Sequence, residues 1–455
     1  MRHIRFSSIL YALVCGLVLL LAACGSGGGT GNGGTPTATA GSPTGQQGSP
    51  TSTSTPRQTQ NVPPTQTSCP AAGSGRALVT AYLARGTHPS LVYVYNVGSP
   101  AHPGTSFLKR FDATSGTKTT IATLSNAYVT DAQVSADGQW ILFVTFSGGL
   151  AKLQAVRLDG QGLQTLYCAA PAGTAYVGSA LINPQWSTDQ RHVIFGQDGG
   201  AATQLSLLDI RSGSVQQVFS DQGSSYMPLT WLDNTRVYLV HQPTDAPADS
   251  LFLLDTSRGA NQTANDLRII YKQNVDANHY QCWNADSSYD GTMAFVAECT
   301  APISTQRPGQ SAVEGPSRII WMSSVGNQPQ AIYTNSVGAI TSIRAVTSAN
   351  LLFTVDSQAF QQGVNVDTSQ NGLWKVGTNG AGATRLTTLA GNLNLTSQFP
   401  WSNVSRDGGL YSLQVSGSNT QSLYYGSMSG GAPTMFAATA SGSTSDLNVA
   451  GWTLL

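Results

Sequence analysis

The stretch Ser135-Ala136-Asp137-Gly138-Gln139-Trp140-Ile141-Leu142-Phe143-Val144-Thr145 decides the fold. Asp-Gly suits a tight turn, because Asp can bond its own backbone and Gly accepts a positive φ. The β-branched and aromatic run behind it is strand material. The same pattern recurs as Trp186-Ser187-Thr188-Asp189 before His192-Val193-Ile194-Phe195, and as Trp231-Leu232-Asp233-Asn234 before Arg236-Val237-Tyr238-Leu239-Val240. It returns as Ser288-Tyr289-Asp290-Gly291 before Met293-Ala294-Phe295-Val296, and as Ser405-Arg406-Asp407-Gly408 before Leu410-Tyr411-Ser412-Leu413.

Each block is followed by two further strands separated by a polar turn. Phe111-Asp112-Ala113-Thr114-Ser115-Gly116 and Leu208-Asp209-Ile210-Arg211-Ser212-Gly213 are examples, and Leu254-Asp255-Thr256-Ser257-Arg258-Gly259 is another. A period of roughly 45–60 residues, with four short strands per unit and no helical pattern, is the signature of a β-propeller. Counting middle strands predicts seven four-stranded blades. The last segment, Leu447-Asn448-Val449-Ala450-Gly451-Trp452, reads as the inner strand of a blade with none after it. Paired with the strand at Leu91-Val92-Tyr93-Val94-Tyr95, it closes the ring and hides an edge. Residues 78–83 compete for that place, and their use would make the count six or eight.

The chain resembles the TolB-like, WD-repeat-like propellers of bacterial envelope proteins, on Ser135-Ala136-Asp137-Gly138, Ser405-Arg406-Asp407-Gly408 and the Asp-x-x-Ser-Gly turns. The resemblance covers 76–455 and implies an all-β propeller. Its motifs serve turns, so they specify fold and not activity. The block at Ala345-Val346-Thr347-Ser348-Ala349-Asn350 lacks the Asp-Gly.

The N-terminus sets the expected compartment. Arg2 and Arg5 precede an apolar run over 9–21, the length of a signal-peptide core and short for a transmembrane span. It ends at Leu21-Ala22-Ala23-Cys24-Gly25, which resembles the bacterial lipobox. Residues 1–23 therefore read as a lipoprotein signal peptide and Cys24 as the lipidated residue, anchoring the protein to the cell or outer membrane, outside the cytoplasm. Residues 24–68 are Gly, Ser, Thr, Pro and Gln with almost no large apolar side chain, a composition that cannot offset its ordering entropy. They read as a disordered tether, and 69–455 as the propeller.

Cys15 leaves with the signal, so Cys69, Cys168, Cys282 and Cys299 remain, an even number suited to disulfides outside the cytoplasm. Cys282 and Cys299 stand symmetrically about Asp290-Gly291, so a regular hairpin sets them opposite each other. Cys69 and Cys168 pair by elimination. With no C-x-x-C and scattered histidines, no metal site is expected, and no cofactor.

Lys+Arg and Asp+Glu both number 22, which gives no basic footprint for nucleic acid. Asp137, Asp189, Asp290 and Asp407 fall in equivalent turns of different blades, so they read as turn caps. Trp186, Trp231, Trp283, Trp401 and Trp452 recur near inner strands and read as packing between blades. Serine hydrolase, sialidase, phosphate-loop, EF-hand and metalloprotease motifs are missing, and no catalytic residue is assigned. The loops at 241–250, 299–317 and 356–372 join second to third strands and share one face. Long loops on a rigid scaffold are where recognition sits. The sequence thus predicts a binding or scaffolding module for an envelope or extracellular protein or a small ligand such as a carbohydrate, with binding residues unassigned. An enzyme with a site in the central channel, a hydrolase or lyase, is the alternative.

Overall fold

A computed structural model describes residues 62–169, 181–198, 202–243, 248–273, 282–288, 290–300, 316–345, 349–357, 367–389, 391–395 and 402–454. The signal peptide, Cys24 and most of the tether lie outside these residues. The described strands form seven four-stranded antiparallel sheets arranged as a seven-bladed propeller. Two 3₁₀ turns, Thr256–Arg258 and Ala264–Asp266, are the helical elements among the described residues.

Blade 1 is assembled from both ends of the propeller. Its inner strand is Asp446–Leu454, followed outward by Pro89–Ser99, His102–Asp112 and Lys118–Ser125. Trp452 stands opposite Leu91, as the closure pattern predicts. Residues 78–83 form no strand, and the count is seven. Blades 2 to 7 each run through four consecutive strands from the axis outward. Blade 2 comprises Tyr128–Val134, Trp140–Ser147, Leu150–Arg157 and Gln164–Ala169. Blade 3 has Ile182–Trp186, His192–Asp198, Ala202–Asp209 and Val215–Gln222. Blade 6, whose first turn lacks Asp-Gly, pairs Ala339–Ala345 with Asn350–Asp356 regardless.

The second strands form the heart of each sheet. Ile141, Leu142 and Phe143 in blade 2 and Val193, Ile194 and Phe195 in blade 3 have no exposed surface. Both faces of a blade press on its neighbours, so these strands are apolar without alternation. One cluster runs from Leu142 and Val144 of blade 2 to Val193 and Phe195 of blade 3. Another joins Leu91 and Tyr93 of blade 1 to Leu423 and Phe436 of blade 7.

Ordered contacts begin earlier than composition suggests. Gln66 bridges Gln164 on the outer strand of blade 2, and Arg76 N–H donates to Leu166 O at 2.8 Å. The Cys69–Cys168 disulfide fastens the same strap. A polar segment is held because it gives partners to the open edge of an outer strand.

Candidate functional site

The repeated turn consumes its own chemistry. The Ser135 hydroxyl donates to Asp137 Oδ1 and accepts from Trp140 N at 3.0 Å, while Gln139 N donates to Asp137 Oδ1 at 3.0 Å. Ser187 and Asp189 repeat this with Arg191 N and His192 N, Ser288 and Asp290 with Thr292 N and Met293 N, and Ser405 and Asp407 with Gly409 N and Leu410 N. The Ser288 hydroxyl, then Thr292, holds the Asp290 carboxyl below its usual range, and Ser405 does the same for Asp407. These aspartates are turn caps; Asp137 and Asp189 border one cleft, while Asp290 and Asp407 stand apart in blades 5 and 7.

Inner strands face the axis with one edge unpaired, and buried backbone groups there need partners. Strand register puts Gln133, Gln185, Thr230, Asp286 and Arg344 on one rung in successive blades, and Asn403 joins them opposite Ser412. None is more than 6% exposed. Several reach across to the next inner strand. Gln133 Nε2 donates to Pro184 O at 2.6 Å, Ala345 N donates to Asp286 Oδ2 at 2.8 Å, and Arg344 Nη2 donates to Leu395 O at 2.8 Å. Trp231 Nε1 donates back to Gln185 O at 2.9 Å, and the Trp452 indole donates to the Ser412 hydroxyl on blade 7. The tryptophans at 231 and 452 therefore pack between blades. Trp401 lies outside the described residues. This buried ring clasps one blade to the next, and no sequence motif flags it because the rung changes from Gln to Thr, Asp, Arg and Asn around the ring.

Three inner-strand carboxyls are raised by burial. Asp286 is pushed up to about 6, with Arg344 and the Ala345 amide pulling the other way. Asp131 is pushed up to about 7; atoms crowd it, although part of its surface stays accessible, and the Ala132 amide is its opposing contact. Asp446 is raised despite hydrogen bonds from Tyr128 and Asn96. They lie in blades 2, 5 and 1, and no group of three metal-ligating side chains occurs among the described residues.

At the opposite end of the strands, the roots of the three long loops are held firmly. Their tips, at 244–247, 301–315 and 358–366, lie outside the described residues. His241 Nδ1 meets Asp249 Oδ1 at 2.7 Å, and its ring packs against Tyr226 and Phe252. Cys282 and Cys299 are bonded, with Cys299 N donating to Cys282 O, in the cross-strand register the hairpin predicts. Glu298, 3% exposed, receives Arg318 Nη2 at 2.7 Å and the Tyr271 hydroxyl at 2.9 Å. Asn371 accepts from Ser357 N at 2.8 Å beneath the third loop.

No family model matches this sequence, and no curated protein is similar to it. Solved structures are. The chain matches a structure from a study of two prolyl endopeptidases at TM-score 0.52 and 11% identity, over 83% of this chain and 50% of that one. The likeness establishes the fold. TolB from Acinetobacter baumannii gives TM-score 0.39 at 13% identity, covering 64% of this chain and 62% of that one. The propeller domain of the Trilobed protease from Pyrococcus furiosus gives 0.46 at 10%, covering 78% and 98%. The chain thus spans half the length of the prolyl endopeptidase and less than two thirds of TolB.

Proposed function

We propose that this protein is a lipid-anchored, extracytoplasmic binding module, held by Cys24, that recognises an envelope protein or small ligand through the face bearing the 241–250, 299–317 and 356–372 loops. The observation that carries this reading is the anchoring of those loops. A disulfide, the Glu298–Arg318 pair and the Asn371 bridge fix their roots. Fixed roots lower the ordering cost of binding through a loop, the condition recognition surfaces need. The buried polar ring is committed to joining blades, which favours binding over catalysis. Two disulfides agree with an oxidising compartment.

The test is a pull-down from the native envelope, comparing the intact chain with one shortened at 299–317 and 356–372, both shown folded by circular dichroism. A partner retained by the intact chain and lost on shortening supports this face. Capture of nothing, or equal capture by both, removes it.

A further inference from the structure

A second surface lies at the other end of the propeller. An open cleft of about 400 Å³ sits between the first turns of blades 2 and 3, walled on one side by the strap as it crosses from blade 3 to blade 1. Leu78 N donates to Ile210 O at 2.7 Å and Leu83 N donates to Gln139 Oε1 at 2.9 Å, which fixes that wall. The volume is in the range of small-ligand sites.

The lining combines acceptors, donors and an aromatic side chain around one opening. Asp137 and Asp189 spend Oδ1 on their turns, while Oδ2 of each makes no hydrogen bond among the described residues. Arg211 and Gln190 line the same cleft, and their side chains make no hydrogen bond among those residues. Trp186 supplies a half-buried apolar face, and Tyr82, 66% exposed, stands at the rim. Arg157 and Asp159, in the third-to-fourth-strand turn of blade 2, are by contrast paired with each other.

Gln190 is the independent observation. Equivalent turns hold Gly138, Gly291 and Gly408 at φ of 70°, 67° and 73°, whereas blade 3 holds Gln190 at φ 57°. A side chain is kept where backbone sterics favour glycine, and it lines the cleft. Strain of this kind concentrates where the side chain is used.

We propose that this cleft binds a segment of neutral oligosaccharide. Hydroxyl-rich rings ask for acceptors (Asp137 and Asp189 Oδ2), planar donors (Arg211, Gln190) and an aromatic face for the C–H side of the ring (Trp186). The openness suits a polymer that continues past the site. This site is separate from the long-loop face and does not depend on it.

The experiment titrates the full chain in detergent with cellohexaose, maltohexaose, xylohexaose and chitohexaose, following tryptophan fluorescence, with a lysine-rich hexapeptide as the cationic control. The variants are Gln190→Gly and Arg211→Ala, with exposed Met435→Ala on blade 7 as the control. At least one saccharide is expected to bind saturably. Gln190→Gly should weaken that binding at least tenfold without lowering Tm, since glycine relieves the turn, and Arg211→Ala should weaken it similarly. Met435→Ala should leave it unchanged. Binding by none of the saccharides, binding indifferent to both cleft variants, or binding of the cationic peptide alone overturns the proposal.

Discussion

Arg406 Nη2 donates to Ser135 O at 2.8 Å, joining the first turn of blade 7 to the first turn of blade 2 across 271 residues. The same guanidinium reaches Ala136 O and, through Nε at 3.2 Å, Trp452 O on the inner strand of blade 1. One side chain therefore pins the closing strand from both sides. Arg406→Ala should cost about 2 kcal/mol, because hydrogen bonds from a charged donor contribute more than neutral ones and three carbonyls lose their partner. Arg406→Lys should recover less than half, as an ammonium cannot span three divergent acceptors. Urea midpoints of the three proteins measure this, and wild-type stability in Arg406→Ala would remove Arg406 from the closure.

Gly138 lies beneath that guanidinium. A Cβ there would stand 2.9 Å from Thr453 Oγ1 and 3.2 Å from Arg406 Cζ, whereas at Gly116 it would meet nothing within 4 Å. Both have positive φ, 70° and 72°. Alanine at either position should cost about 1 kcal/mol for the left-handed backbone. Gly138→Ala should cost about 1–2 kcal/mol more, from displacing the clasp. Equal midpoints for the two variants would show that the closure accommodates a methyl group.

The propeller, its seven blades and its C-terminal closure were legible because they rest on local signals repeated with a period. Ser135-x-Asp137 writes the same turn as Ser405-x-Asp407, and apolar second strands follow each. The Cys282–Cys299 bridge was legible for the same reason, since hairpin register is local. What stayed illegible is what joins separate blades. Gln133, Asp286 and Arg344 occupy one rung and do one job with three different chemistries, so no pattern marks them. The first residues of the strap, 62–68, have the polar composition of a tether; their order comes from an edge some hundred residues away, where Gln66 meets Gln164. The cleft was hidden in a small departure, Gln190 where blades 2, 5 and 7 hold glycine.

The two disulfides should contribute unequally. Cys69–Cys168 closes a separation of 99 residues and Cys282–Cys299 one of 17. Loop-closure entropy assigns about 4.7 kcal/mol to the longer and about 3 kcal/mol to the shorter. Replacing Cys69 and Cys168 by serine should lower stability by the larger amount and expose the strap to protease. Replacing Cys282 and Cys299 should cost less and leave strap cleavage unchanged. Denaturation midpoints and limited proteolysis with mapped cut sites distinguish the pairs; strap cleavage equal in both variants would contradict the assignment.

Acid should act in two opposite directions. The folded carboxyls of Asp131 and Asp286, at about 7 and about 6, lie above their unfolded range near 4. The folded state then binds more protons than the unfolded state between those values, so stability rises as pH falls from about 7 to about 4 and is lost as pH climbs back. Asp112 runs the other way. Burial raises its carboxyl, but the Ser115 and Thr114 amides and the His88 ring outweigh this and hold it at about 2. Its contribution is present above pH 4 and disappears as pH falls through the folded value. Tm plotted against pH should therefore peak between about 4 and 5 and not at neutrality. Asp131→Asn keeps an acceptor for Ala132 N and removes the buried charge, so it should raise Tm at pH 7.5 by about 2 °C. At pH 4.5, where Asp131 is already neutral, the variant and the parent should coincide. A Tm difference of the same size at both pH values would trace the effect to packing and not to the proton.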